Sequence, residues 1–274
     1  MTESMTLALP FTKYEGLGND FVVVDVSLAD AQAFDVGLAS RLCDRRRGVG
    51  ADGVLVVSPP SAAGHLARMR VINADGSVPE MCGNGLRCVA LHLARQRGAS
   101  ALEGSVETDA GARPVVVRGD ATAAEVTVDM GEVGLGDERS VEIAGETVRL
   151  VDVNVGNPHA VLVPLAAVHE RARIERLGPI LERHPSFPAG VNVELVSREG
   201  TALRVTVWER GVGFTEACGT GACAVVAALT ARGDVEGGVE TTVRLPGGEL
   251  HITMQRGRAR MRGPARYVFS GVFS

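Results

Sequence analysis

The sequence contains very little lysine. Of its 28 basic residues only one, Lys13, is a lysine, and the rest are arginines. Racemases that depend on pyridoxal phosphate need a lysine to form the Schiff base with the cofactor. The single candidate lies at the start of the first predicted strand, which is a poor place for that role. We therefore expect no pyridoxal phosphate, and no other cofactor, in the chemistry of this chain.

Three further features that the sequence lacks exclude whole classes of protein. No apolar run approaches the roughly 18–20 residues that a membrane span requires. The formal net charge is −5, without the clustered basic excess that nucleic-acid binding needs. Residues 1–10 contain neither a basic residue nor a long apolar segment, so they do not resemble a secretory signal. The sequence predicts a globular cytoplasmic protein with no membrane and no nucleic-acid partner.

The cysteines form no pattern typical of metal or redox sites. There are five, at positions 43, 82, 88, 218 and 223, with no CxxC pair and no zinc-like spacing to histidine. We expect no metal and free thiols in a reducing compartment. Cys43, Cys88 and Cys223 lie among apolar residues and are predicted to fill the core. Cys82 and Cys218 are therefore the candidates for a catalytic role.

The chain repeats one plan twice. The segment Glu80–Gly85, EMCGNG, recurs as Glu216–Gly221, EACGTG, and the two cysteines are 136 residues apart. Further upstream, Gly18-Asn19 recurs as Gly156-Asn157, with the asparagines 138 residues apart. Two separate motifs therefore recur at nearly the same separation, over a stretch of some 60 residues in each copy, which indicates an internal duplication.

The pattern around the repeats predicts an α/β (α+β) fold with two pseudo-symmetric domains. Each CGxG opens an apolar stretch that ends at an arginine followed by a turn glycine, which is typical of a helix end. Short Val- and Thr-rich runs elsewhere predict strands, and the apolar helices should be wrapped by curved mixed or antiparallel sheets. We predict one half over residues 5–125, joined by a returning strand over 263–274, and a second half over residues 126–262. The interface between the halves is the expected place for a site.

Cys82 and Cys218 stand where a thiol becomes reactive. The N–H groups at a helix start stabilise negative charge, so a cysteine there is expected to have a lowered pKa. Two such cysteines on opposite sides of one carbon could invert it: a thiolate removes the proton, and a thiol on the other face returns one. The residues leave open which cysteine is the base in the resting enzyme.

Taken together, these motifs resemble those of the diaminopimelate epimerase family, over about residues 11–273. The matching segments are GLGNDF (16–21), NADG (73–76), CGNG (82–85), GNPH (156–159), ERG (209–211) and ACGTG (217–221). The resemblance implies cofactor-independent conversion of L,L-2,6-diaminopimelate to meso-diaminopimelate, in lysine and peptidoglycan precursor biosynthesis. It also implies a homodimer, with aromatic residues of the C-terminal segment at the dimer contact.

By the resemblance, Cys82 and Cys218 form the catalytic pair, and His159 and Glu209 tune their thiols. The substrate-binding positions it implies are Asn19, Asn73, Gly83, Asn84, Asn157, Asn192, Glu209, Arg210, Gly219 and Thr220. One position departs from the family. Gly53 stands where some members carry a glutamine that touches substrate, so this contact is missing or is made by backbone.

Two other functions fit parts of the pattern. Proline racemases and hydroxyproline epimerases also use two cysteines, but their substrates lack a distal charged group that would use Glu209 and Arg210. A catalytically silent binding module on the same scaffold should have lost one cysteine, and both are present. Retention of both thiols and of the charged pair favours the epimerase.

Overall fold

A computed structural model describes residues 8–143, 145–163 and 171–274. The described residues form two compact units: residues 8–128 with 264–274 make up the first, and the described residues between 129 and 263 make up the second. Residues 5–7 of the first predicted half lie outside the described residues.

The described ranges contain five helices and sixteen strands. The helices are α1 (Leu28–Ala33), α2 (Val36–Cys43), α3 (Gly83–Gln96), α4 (Arg171–Glu182) and α5 (Gly219–Arg232). The strands of the first half of the chain are β1 (Leu9–Gly16), β2 (Asn19–Asp25), β3 (Gly53–Ser58), β4 (Ala67–Asn73), β5 (Ala101–Thr108), β6 (Gly111–Gly119), β7 (Ala123–Glu132) and β8 (Gly134–Ile143). The remaining strands are β9 (Glu146–Asn154), β10 (Pro158–Val163), β11 (Asn192–Glu199), β12 (Ala202–Glu209), β13 (Gly213–Phe214), β14 (Thr241–Leu245), β15 (Gly248–Gln255) and β16 (Arg258–Phe273).

The two units repeat the same order of strands. In the first, β1 to β7 follow one another, with parallel pairs at β2/β3 and β4/β5 and antiparallel pairs elsewhere. In the second, β8 to β12 are followed by β14, β15 and the start of β16, with parallel pairs at β10/β11 and β12/β14. Counted from β1 in the first unit and from β9 in the second, the parallel pairs fall at the same places, as the predicted duplication requires.

The end of the chain completes the first unit. Residues 266–273 of β16 pair antiparallel with β1, from Glu15↔Arg266 to Leu9↔Phe273. In the second unit β8 takes the equivalent edge, antiparallel to β9. The predicted mixed sheets and the returning C-terminal strand are both present, which confirms the fold class.

Each unit is built around one 14-residue helix. The first twelve residues of α3, from Gly83 to Ala94, are buried, and α5 is buried from Ala222 to Leu229. Such a helix cannot keep a polar face toward water, so strands must surround it. Both helices end as predicted, because Gly98 and Gly233 adopt the left-handed conformation, with φ of 62° and 79°.

The only tryptophan of the chain is held firmly in the second unit. Trp208 packs on Gly178 of α4, where an added Cβ would lie 2.6 Å from the indole Cγ. It stacks edge-on against Phe214 at 5.2 Å between ring centroids, and its Nε1–H donates to Glu182 Oε2 at 2.7 Å. The strand residue before Glu209 is therefore fixed in orientation as well as in position.

None of the helices in the described ranges is both long enough and apolar enough to cross a membrane.

Candidate functional site

Cys82 and Cys218 have the same local geometry in the two units. Each is the N-cap of its central helix with an extended backbone, at φ −135°, ψ 114° for Cys82 and φ −123°, ψ 107° for Cys218. Each sulfur accepts the N–H of the residue three positions later, Gly85 or Gly221, at 3.4 Å. The thiols thus stand at the positive end of a helix, where first-turn N–H groups also lack an intrahelical acceptor.

The third residue after each cysteine must be small because the helix start packs directly on a strand. An added Cβ at Gly85 would lie 2.8 Å from Leu55 Cδ2 of β3. At Gly221 it would lie 3.0 Å from Glu194 Oε1 of β11 and 3.3 Å from the Cys218 sulfur. The CGxG motif is therefore also a packing requirement.

Substitution Gly85→Ala is expected to destabilise the protein by about 1–3 kcal/mol, because the new methyl group overlaps Leu55 in a filled core. Gly37→Ala in α2 is the matched control: its Cβ would meet only the Asp35 side chain, at 3.4 Å or more. Alanine favours a helix over glycine, so the control should be neutral or slightly stabilising. Denaturant unfolding measures both changes, and equal stability of the two variants would contradict the packing argument.

In the first unit, the structure brings Asn19 and Asn84 together. Asn84 Nδ2 donates to Asn19 Oδ1 at 3.1 Å, and Asn19 Nδ2 donates to Asp52 Oδ2 at 2.8 Å. Arg45 holds the other oxygen of Asp52 at 2.8 Å. Asp52 was missed from the sequence, although its place just before β3 and beside Gly53 was visible.

The lone lysine belongs to the same network and is not available for a Schiff base. Lys13 is buried and forms an ion pair with Asp20 at 2.6 Å, and Arg45 binds Asp20 at 2.7 Å. Side-chain hydrogen bonds from Arg45 and Lys13 overcome the opposing effect of burial and lower the pKa of Asp20. This cluster anchors the turn that carries Asn19.

The Asn73 side chain has a hydrogen-bond partner outside the Asn19–Asn84 pair. Its Nδ2 donates to Ser77 Oγ at 2.9 Å, and across β3/β4 it faces Gly53. A Cβ at Gly53 would lie 2.9 Å from the Ile72 carbonyl oxygen, so a side chain fits there only if the strands shift.

In the second unit, a series of hydrogen bonds leads to Cys218. His159 Nε2 lies 2.9 Å from Asn157 Oδ1, Asn157 Nδ2 donates to Thr220 Oγ1 at 3.4 Å, and Thr220 Oγ1 lies 3.5 Å from the sulfur. His159 Nδ1 lies 2.6 Å from Glu194 Oε1. Four of the predicted site residues therefore form one network, and Glu194, which was not among the predicted residues, joins it.

Asn192 and Arg210 form a neighbouring group. The side chain of Asn192 accepts the Arg210 backbone N–H at 2.9 Å and donates to the Pro158 carbonyl at 2.8 Å. The guanidinium of Arg210 donates to the Ala189 carbonyl at 2.9 Å. The amide of Asn192 thus sets the backbone of the Glu209–Arg210 turn.

Glu209 lies beside Cys218, hydrogen-bonded to its thiol and to the Thr215 hydroxyl. Burial raises the pKa of Glu209, against the opposing effects of Thr215, His159 and Cys218. A carboxyl group next to a thiol can hold the thiol proton in a fixed direction.

The pKa of Cys218 differs from the sequence-based expectation. A lowered pKa was expected at the helix start, but burial raises the pKa of the thiol well above its usual range, and the negative charges of Glu209 and Glu194 act in the same direction. Hydrogen bonds from Thr220 and from the Gly221 N–H oppose this only in part. The raised pKa favours the protonated form of Cys218, which is suited to donate a proton.

The other three cysteines are structural. Cys43, Cys88 and Cys223 are buried, at most 4% exposed, which confirms the prediction that they fill the core. Burial raises the pKa of Cys43 to about 11. No group of three or more histidine, cysteine or acidic residues within the described ranges could hold a metal ion.

The sequence comparisons identify the family of this chain, and the structure comparison supports its fold. The sequence model of the family described as diaminopimelate epimerase matches residues 11–135 and 151–268. The chain is 48% identical to the diaminopimelate epimerase of Desulforudis audaxviator, covering 96% of this chain and 98% of that one. It is 41% identical to the diaminopimelate epimerase of Synechocystis sp., covering 97% and 99%. A solved hydroxyproline epimerase of Agrobacterium vitis shares the fold, with a TM-score of 0.72 at 19% identity over 97% of this chain and 91% of that one. Full-length identity at this level, together with the matched family model, places the chain in the diaminopimelate epimerase family.

Proposed function

We propose that this chain converts L,L-2,6-diaminopimelate to meso-diaminopimelate without a cofactor, with Cys82 and Cys218 as the two acid–base groups. The observation that carries the proposal is the repeated thiol geometry: two cysteines, one in each unit, each capping a buried helix and each bound by a glycine N–H at 3.4 Å. The predicted halves, 5–125 with 263–274 and 126–262, would each supply one thiol.

The proposed reaction needs one thiolate and one thiol. The thiolate takes the α-proton, and the thiol on the opposite face of the planar carbanion gives its proton, so the carbon is inverted and the two sulfurs exchange protonation states. Because a carbon acid is far weaker than a thiol, each unit of pKa mismatch adds about 1.4 kcal/mol to the barrier. The first-turn N–H groups of α3 and α5, from Gly83, Asn84, Gly219 and Thr220, are the donors that we propose to bind the α-carboxylate as charge spreads onto it.

The distal amino-acid group would be recognised by charge and by amides. The substrate carries a second ammonium and a second carboxylate, which Glu209, Arg210 and the asparagines at positions 19, 73, 157 and 192 can bind. The hydrogen bond from Arg210 N–H to Asn192 supports this assignment, since it fixes the turn that presents the pair. A proline-type substrate would leave this charged pair unused.

The test is incubation of the purified protein with L,L-diaminopimelate in D2O without added cofactor. We expect deuterium at the α-carbon of the meso product, because the returned proton comes from a thiol that exchanges with solvent. Mass spectrometry and chiral chromatography follow the label and the stereochemistry.

Proline and trans-4-hydroxyproline serve as comparison substrates in the same assay. Inversion of either, with diaminopimelate untouched, would replace the proposed substrate by a cyclic amino acid. Absence of exchange into all three would contradict an epimerase function and favour a silent binding module.

We further propose that the protein works in the cytoplasm as a homodimer. The free thiols support a reducing compartment. The exposed apolar residues of β16, namely Val268, Phe269 and Val272, support a contact through this strand. Sedimentation of the parent protein and of a Phe269→Glu variant tests the dimer: the variant should sediment as a monomer.

A further inference from the structure

The two units carry different residue types at one pair of equivalent buried positions, which in the second unit lies next to helix α5. In the second unit Glu194 of β11 is paired with Val161 of β10, and in the first unit Leu55 of β3 is paired with Val23 of β2. Both side chains lie against the second glycine of their CGxG motif, Gly85 or Gly221. A carboxylate therefore occupies in one half the place that a leucine occupies in the other.

The fold itself does not need this carboxylate. Glu194 is 0% exposed, and burying a charged group is costly unless its oxygens are satisfied. Its Oε2 has no hydrogen-bond partner within the described part of the chain. The first unit folds the same strand around a leucine, so retention of a destabilising residue here points to a role in the chemistry.

Among the described residues, the hydrogen-bond partner of the Glu194 side chain is His159, the first member of the series that ends at the Cys218 sulfur. Oε1 lies 2.6 Å from His159 Nδ1, and His159 is itself only 1% exposed. The other ring nitrogen faces Asn157 Oδ1 at 2.9 Å. Both ring nitrogens thus face oxygen atoms, a carboxylate oxygen on one side and an amide oxygen on the other.

The direction of the remaining hydrogen bonds follows from this arrangement. Since Asn157 uses its oxygen on His159, its Nδ2 donates to Thr220 Oγ1 at 3.4 Å. The threonine hydroxyl then has its own hydrogen left for the sulfur, 3.5 Å away. The orientation of each group depends on the one before it, and the series starts at Glu194.

We propose that Glu194 is a positioning residue for Cys218. It holds His159 through Nδ1, and through His159 and Asn157 it turns the Thr220 hydroxyl toward the sulfur. Its negative charge, when present, also acts on the nearby thiol and favours the protonated, proton-donating form of Cys218. The role in the reaction rests on the function proposed above, whereas the effect on the thiol itself does not.

The charged and titratable groups that face Cys218 in the described structure are few. Glu209 approaches from β12 and Glu194 from β11, and His159 of β10 lies behind Glu194. Glu209 is bound to Thr215 and lies outside the His159 hydrogen-bond series, although the charges of His159 and Glu194 both act on its pKa. A change at Glu194 can therefore be measured with Glu209 in place.

The first measurement is alkylation of Cys218 by iodoacetamide as a function of pH, in a Cys82→Ala background, with the modified residue identified by mass spectrometry. Glu194→Gln keeps a hydrogen bond to His159 and removes the charge, so the midpoint pH of alkylation should fall by about one unit. The matched control is Glu107→Gln: Glu107 is a buried carboxylate of the first unit, bound to Ser61 and Ala62, and its loss should leave the midpoint unchanged. An unchanged midpoint in Glu194→Gln would overturn the charge role, even if the protein proves to have no epimerase activity.

The second measurement is the epimerase rate with Cys82 restored. Glu194→Leu, which copies the residue of the first unit, should lower kcat at least about tenfold, with KM changed less than about threefold because a fully buried residue does not touch substrate. Glu194→Gln should recover most of kcat, since its amide can still hold the ring. Full activity in Glu194→Leu, or equal loss in both variants, would overturn the positioning role. Should the leucine variant fail to fold, the alkylation midpoint of the glutamine variant decides.

Discussion

Replacing either Cys82 or Cys218 by alanine is expected to lower kcat for epimerisation at least about a thousandfold. A positioned acid or base contributes about 10²–10⁴ to a rate, and inversion fails if the proton can be neither removed from one face nor returned to the other. The measurement is the initial rate of meso-diaminopimelate formation from the L,L isomer. The fold should survive, because each cysteine caps one helix start and loss of an N-cap costs about 1 kcal/mol.

The controls for this prediction lie on the same helices. Cys88→Ala and Cys223→Ala remove buried thiols from α3 and α5 without touching the N-caps, so both variants should keep kcat within a few-fold of the parent. Activity near the parent level in either Cys82→Ala or Cys218→Ala would refute the two-thiol mechanism. An equal loss in all four variants would instead indicate that the helices, and not the two sulfurs, are sensitive.

Substitution Glu209→Gln is expected to lower kcat by about a hundredfold and to change its pH dependence. The buried carboxyl group has a raised pKa and is hydrogen-bonded to the Cys218 thiol. When Glu209 is ionised, its charge raises the pKa of Cys218; when it takes up a proton as the pH falls, that effect is lost. The activity of the parent protein should therefore fall as the pH is lowered, and the fall should begin at a pH above the usual titration range of a carboxyl group. The glutamine variant should not show this acid limb of the pH–rate profile, because glutamine carries no charge at any pH.

Glu216→Gln is the matched control for Glu209→Gln. Glu216 is an exposed carboxylate two residues before Cys218, so its loss should leave both kcat and the acid limb in place. The pH–rate profile of kcat/KM for the three proteins, taken between about pH 5 and 9, gives the comparison. Retention of the acid limb in Glu209→Gln would assign that limb to another group.

The repeat was the part of the fold most readily predicted from sequence. The two CGxG motifs and the two Gly-Asn turns are local and keep their spacing, and from them followed the helix starts at Gly83 and Gly219 and the left-handed ends at Gly98 and Gly233. Strand β8, in contrast, was not predicted. Its residues Gly134 to Ser140 are mostly exposed and polar, so they lack the alternation by which a half-buried strand is recognised.

The site was predictable only where its residues lie within a motif. Asn157, His159 and Thr220 stand in repeated segments, whereas Glu194 stands in an apolar run where a charge has no visible partner in sequence. Its partner, His159, is 35 residues away and meets it only because β10 and β11 pair in parallel. The raised pKa of Cys218 could not be predicted from the sequence either. It depends on how deeply the thiol is buried, and strands from the whole unit contribute to that burial.

The aromatic residues are divided between the two units in a way that makes them natural reporters. Both tyrosines, Tyr14 and Tyr267, belong to the unit formed by residues 8–128 and 264–274, and the tryptophan belongs to the other. Indole emission can be excited selectively, so loss of structure around Trp208 can be followed in the intact chain while tyrosine signals follow its neighbour. The same fluorophore stands one peptide bond from Glu209, which gives ligand titrations an intrinsic optical signal without any label.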